Sequence, residues 1–118
     1  MDERRAIQLV ARERARVESL LSQASREIRA DGSLGRQQTG ENEDAGSALE
    51  AESVDVALEA GLREQLAAVE RAEERIARGK YGISVESGLP IPDDRLEAEP
   101  LAERTVQEQR DFERRMTR

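Results

Sequence analysis

Residues 81–109, YGISVESGLPIPDDRLEAEPLAERTVQEQ, decide how this chain is read. Ser84 and Ser87, then Thr105 and Glu108, stand at the C-x2-C…C-x2-C spacing that holds a tetrahedral zinc ion, yet the sequence contains no cysteine and no histidine. The frame of a metal site is present without its ligands. Ile83 and Val85, then Leu89 and Ile91, alternate around Glu86-Ser87-Gly88, a pattern that predicts a small β-hairpin or knuckle. Pro90, Pro92 and Pro100 exclude a long helix here, and Asp93-Asp94 predict a turn. Pro100 is placed to open a last helix, in which Leu101, Val106, Phe112 and Met116 would dock back on the base of the helical hairpin formed by the upstream residues.

Upstream the pattern is helical. From about Ala6 to Ala30, Ile7, Val10, Val17, Leu21, Ala24 and Ile28 fall at alternating spacings of three and four, broken only at Arg14, which predicts a helix with one packed seam. The run DGSLGRQQTGENE, Asp31 to Glu43, holds three glycines and only Leu34 as a sizeable apolar residue, so a mobile connection is expected. Helical character then resumes to Gly79, with Ala48, Ala51, Leu58, Leu62, Leu66, Val69, Ala72 and Ile76 near one face. At 1.5 Å per residue this second helix would reach on the order of 50 Å. Asp44 or Ser47 can cap its start, Glu59–Arg63 and Glu74–Arg78 are favourable i,i+4 pairs, and Gly79 is a left-handed stop. Gly61, inside it, weakens the helix by up to about 1 kcal/mol.

The expected fold is therefore mainly α. Residues 1–79 form a long antiparallel coiled-coil hairpin with a tip loop near 31–46, and residues 80–118 form a small zinc-finger-like globular base with a C-terminal helix. Composition agrees: aromatic residues are 2% and apolar residues 36%, enough for a helical seam but not for a thick core. A net charge of -7 argues against direct, sequence-specific nucleic-acid binding, which needs Lys and Arg to neutralise phosphates. Residues 1–30 carry seven Arg against five acids, and residues 31–60 one Arg against eight acids, so the tip is acidic. An acidic protrusion suits a basic or metal-containing cavity; the plainer alternative is a solvated loop. No apolar run is long enough to span a bilayer, and MDERRAIQLVARER lacks the apolar core and cleavage site of a secretion signal, so no membrane association and a cytoplasmic location are expected.

The run Ile76-Ala77-Arg78-Gly79-Lys80-Tyr81-Gly82, then Gly88-Leu89-Pro90-Ile91-Pro92, Arg95-Leu96-Glu97-Ala98 and Pro100-Leu101-Ala102, resembles the DksA/TraR family of bacterial RNA-polymerase regulators. The motif resemblance covers about residues 43 to 109, and the N-terminal helix follows by architecture. It implies a coiled-coil hairpin that enters the secondary channel of RNA polymerase, its tip approaching the catalytic centre. The family's tip carries an Asp followed two residues later by a small residue, usually Ala. Those positions fall on Asp44 and Gly46, with Ala45 between, so Asp44, Ala45 and Gly46 are the expected polymerase-interacting tip, and Gly46 departs from the usual alanine.

The family's four zinc cysteines fall on Ser84, Ser87, Thr105 and Glu108. These degenerate ligand positions make a poor zinc site, and neither metal nor cofactor is expected. The base would be held instead by Tyr81, Ile83, Val85, Ile91, Leu96, Leu101 and Val106, with hydrogen bonds among Ser84, Ser87 and Thr105. The positions aligned with the family's basic residues that help bind the alarmone ppGpp are Ala68, Glu99 and Gln109, none of them basic, so ppGpp dependence is not carried over.

Catalysis is not expected: no His or Lys is spaced to activate Ser84 or Ser87, and no Gly-rich phosphate loop is present. The expected function is that of a transcription regulator acting by binding RNA polymerase. The alternative is a helical structural or interaction protein that kept the fold without polymerase regulation. A monomer is expected, although heptads do not say whether their partner lies within the chain.

Overall fold

A computed structural model describes the backbone of residues 1–37 and 45–117, and the side chains of residues 1–26 and 55–117. The described residues form the helices α1 (Glu3–Gln37), α2 (Ala45–Ala77), α3 (Asp93–Ala98) and α4 (Val106–Met116). They contain no β-strand, only an isolated antiparallel bridge between Ile83 and Pro90. The expected hairpin around Glu86-Ser87-Gly88 is thus a turn closed by one bridge. Pro90 has no N–H to extend a ladder, and Gly88, at φ +74°, bends the chain back so that its N–H reaches the Ser84 carbonyl (3.0 Å).

Helix α1 runs past Ala30 to Gln37, through Gly32 and Gly35. Each glycine costs about 1 kcal/mol relative to alanine in a helix, which weakens the element without stopping it. The mobile connection expected from Asp31 therefore gives way to helix as far as Gln37. Residues 38–44 lie outside the described residues.

The chain divides into two compact units, Met1–Glu13 with Ala68–Arg118, and Arg14–Ala67. In the second, Val17, Ala24 and Leu62 are buried, with Leu21 and Leu66 half-buried beside them. Arg16 donates to Gln65 (3.1 Å) and Ser25 to Glu59 (3.2 Å). Residue numbers rise along α1 as they fall along α2, so the two helices run antiparallel there. Leu58, expected on the seam, is 55% exposed. Glu59 stands opposite Ser25 instead, and its carboxylate also accepts from Arg63 one turn on (2.8 Å).

The other unit contains two apolar clusters. Val10, Val69 and Ala72 pack with Ile76, Tyr81 and Leu101, and Ile91, Leu96 and Ala102 pack with Tyr81 again. Tyr81 joins the clusters and donates its hydroxyl to the Pro100 carbonyl (2.7 Å), a bond that satisfies its polar end inside an apolar setting. At the start of α1, Ala6, Leu9 and Val10 are buried while Ile7, expected on the seam, is 50% exposed. Ile7 lies about 100° around the helix from Ala6, outside the arc that Leu9, Ala6 and Val10 cover, and points outward.

Local chemistry ends and starts these elements. Gly79, at φ +70°, donates to Ile76 O (3.0 Å) and Lys80 to Arg75 O (2.8 Å), the paired bonds of a Schellman cap. Glu74 and Arg78 form the expected ion pair at 2.7 Å. Pro100 does not open the last helix. Thr105 does, because its hydroxyl accepts the Glu108 N–H (3.2 Å) while the Glu108 side chain accepts the Thr105 N–H (3.0 Å), a reciprocal capping box. The Asp93-Asp94 turn is the first turn of α3, where Asp94 accepts the Arg95 N–H (3.0 Å) and Asp93 pairs with the Met1 ammonium (3.2 Å). Val106 (44% exposed) and Met116 (68%) do not dock. Nor do Ile83 and Val85, both exposed, belong to the base core. Among the described residues α4 buries none of its side chains; Phe112 is half-buried under the Arg104 guanidinium, 3.9 Å from the ring centre.

Candidate functional site

The four positions with metal-ligand spacing come together. Ser84, at the start of the turn and buried, donates its hydroxyl to Glu108 (3.0 Å) and accepts the N–H groups of Glu86 (3.1 Å) and Ser87 (3.3 Å). The Ser87 hydroxyl accepts the Leu89 N–H (3.2 Å) and favours the charged form of the Glu108 carboxylate. Thr105 reaches the same carboxylate through its backbone. Of the expected hydrogen bonds, the one between Ser87 and Ser84 is direct, while Thr105 is linked to Ser84 through Glu108.

This density of donors favours the charged carboxylate. The Thr105 N–H first, and then the Ser87 hydroxyl, hold Glu108 down to about 2. Such a weak base does not draw a proton from serine near neutrality, and the Ser84 hydroxyl is already committed to three partners. The arrangement cross-links backbone segments; it lacks the poised base of a nucleophilic site.

These residues do not fit a structural zinc ion, for which thiolate and imidazole are the usual ligands. Three neutral hydroxyls and one carboxylate are a hard, weakly charged set, and their lone pairs already face N–H groups. Among the described residues no group of three or more His, Cys, Asp or Glu side chains is placed to hold a metal ion.

The expected tip, Asp44, Ala45 and Gly46, is only partly within view. Asp44 lies outside the described residues; Ala45 and Gly46 are the first residues of α2, with side chains outside them. Of the positions aligned with alarmone-binding residues, Glu99 is exposed, and Gln109 donates to Glu113 (3.2 Å) on its own helix.

Sequence reasoning missed two charged clusters. Arg5 grips Glu97 with two parallel bonds (2.8 and 2.6 Å), which raise the arginine's pKa and lower the carboxylate's. Glu103 accepts from Arg71 (3.1 Å) and Arg75 (3.4 Å). Burial pulls the Arg75 pKa down, and its Nη2 has no hydrogen-bond partner among the described residues. Arg71 and Arg75, one turn apart on α2, were the available signal for a shared acid, but nothing local names Glu103 as that acid.

Among the described residues no helix is long and apolar enough to cross a membrane. No model of a known protein family matches the chain. Over 51 residues the chain is 45% identical to General stress protein 16O of Bacillus subtilis (strain 168). The shared stretch is 43% of this chain and 31% of that protein, so the match spans about a third of the relative's length. The solved structure of transcription factor DksA2 from Pseudomonas aeruginosa aligns with a TM-score of 0.82, covering 98% of this chain and 86% of that one at 24% identity. The chain therefore has a DksA-like fold.

Proposed function

We propose that this protein is a transcription regulator that binds RNA polymerase through its secondary channel and acts without covalent chemistry. Residues 1–79 serve as a coiled-coil lever and residues 80–118 as a metal-free base that resembles a zinc finger. Asp44, with Ala45 and Gly46, is the tip that approaches the polymerase active centre. The observation that carries this reading is the DksA-like fold along 98% of the chain. The motif from Ile76 to Ala102 supports it independently, because those residues set the turn, the Tyr81 junction and the Leu96 core rather than a generic helical pattern. A net charge of -7 supports a protein partner over naked nucleic acid. The protein acts in the cytoplasm as a monomer, without dependence on ppGpp.

The test is a pull-down of RNA polymerase with the full chain, followed by transcription in vitro with the wild type and Asp44→Asn. The expected result is that both bind and only the wild type changes transcript yield. Failure of the wild-type chain to bind polymerase would leave the helical interaction protein as the better account.

A further inference from the structure

The turn at 84–89 and helix α4 have little apolar material to hold them. Val85 and Leu89 are exposed, and α4 buries no residue among those described. Polar links therefore join the two, and they are of two kinds. On the exposed side Glu86 accepts from Arg104 (3.0 Å) and Arg115 (2.9 Å), pairs that water screens. On the inner side one carboxylate, Glu108, receives the buried Ser84 hydroxyl and the Thr105 N–H.

We propose that Glu108 is the structural centre of the base, tying the 84–89 turn to the start of α4 in the place where a metal ion would otherwise gather four ligands. Its two oxygens divide the work. One closes the capping box with Thr105, which any helix start could use; the other reaches across to Ser84, which a cap alone does not need. Ser84 passes the link on by holding the N–H groups of Glu86 and Ser87, and Ser87 does so by holding that of Leu89. Removing the carboxylate would leave the buried Ser84 hydroxyl without an acceptor and release the turn. This centre is independent of whether the chain binds polymerase.

The two roles separate in Glu108→Gln. Glutamine preserves a capping box, but its amide nitrogen faces Ser84 as a second donor instead of an acceptor. Amide hydrogen exchange of the full chain, read by NMR at Glu86, Ser87 and Leu89, is the measurement, and metal content is determined on the same sample. We expect about tenfold or faster exchange at these three amides in Glu108→Gln, from loss of a hydrogen bond to a charged group, with Leu96 still protected. Wild type should hold less than stoichiometric zinc and keep its exchange pattern after EDTA treatment. Should Glu108→Gln lose the Leu96 core as well, Ser84→Ala carries the test, read at the Leu89 N–H, which the Ser84 side chain does not itself bind and which is expected to loosen when the link to Glu108 is cut. Unchanged exchange at these amides in the folded variant would reduce Glu108 to a helix cap. One zinc per chain, or loosening by EDTA, would also overturn the proposal.

Discussion

Arg75 is the most exacting single residue outside the Glu108 centre. Its side chain is 14% exposed, one of its nitrogens is buried without a partner among the described residues, and Glu103 is its counter-ion. A buried charge is tolerated only while paired, so the cost of breaking the pair falls on whichever change leaves Arg75 alone. Glu103→Ala is expected to destabilise the protein by about 2 kcal/mol, whereas Arg71→Ala, which removes the half-exposed partner, should cost less than about 1 kcal/mol. Urea unfolding midpoints of the two variants give the comparison; equal losses would mean that Arg75 does not depend on Glu103. At this scale the legible part was the part written locally. Spacing picked out Ser84, Ser87, Thr105 and Glu108, and Thr105-x-x-Glu108 is itself a capping box. The bonds Arg5–Glu97 and Arg75–Glu103 join residues far apart in sequence, and no periodicity or motif specifies such a partner.

Among the elements, the end of α2 at Gly79 was read correctly, whereas the end of α1 and the start of α4 were not. Gly79 stops α2 because a left-handed residue must follow it, and a Cβ there would meet nothing within 4 Å, so the demand is on φ alone. Gly79→Ala should therefore lower stability by about 1 kcal/mol with no change in packing. Gly82→Ala should cost more, because its Cβ would also come within 3.3 Å of Leu96 Cδ1 at φ +83°. Thermal unfolding of the two variants ranks these costs, and a harmless Gly79→Ala would remove the cap argument. The start of α4 was misplaced at Pro100 since proline merely permits a first turn, while Thr105 and Glu108 supply the bonds that begin one. The exposed Ile7 and Leu58 show another limit: a spacing of three or four identifies a helix face to within one residue, and polar partners such as Ser25 and Glu59 choose the neighbour.

For the molecule as a whole, few aromatic residues and many charges pointed to paired helices with a small core, and the described residues follow that pattern. Buried apolar side chains are small or aliphatic, with Tyr81, half-buried, as the aromatic shared by two clusters. Fold was legible because motif residues such as Gly79, Tyr81, Gly82, Leu96 and Ala102 each perform a structural task. Function was less so, since a tip acts through a partner's surface and the bonds within the chain do not encode that surface. The proposed tip also sets the decisive experiment. A photo-crosslinking side chain placed at Ala45, next to Asp44, is incubated with RNA polymerase and irradiated, and the linked polymerase segment is identified by mass spectrometry. The proposal predicts crosslinks to segments lining the secondary channel beside the active centre. A chain that binds polymerase but crosslinks elsewhere from this position would contradict it.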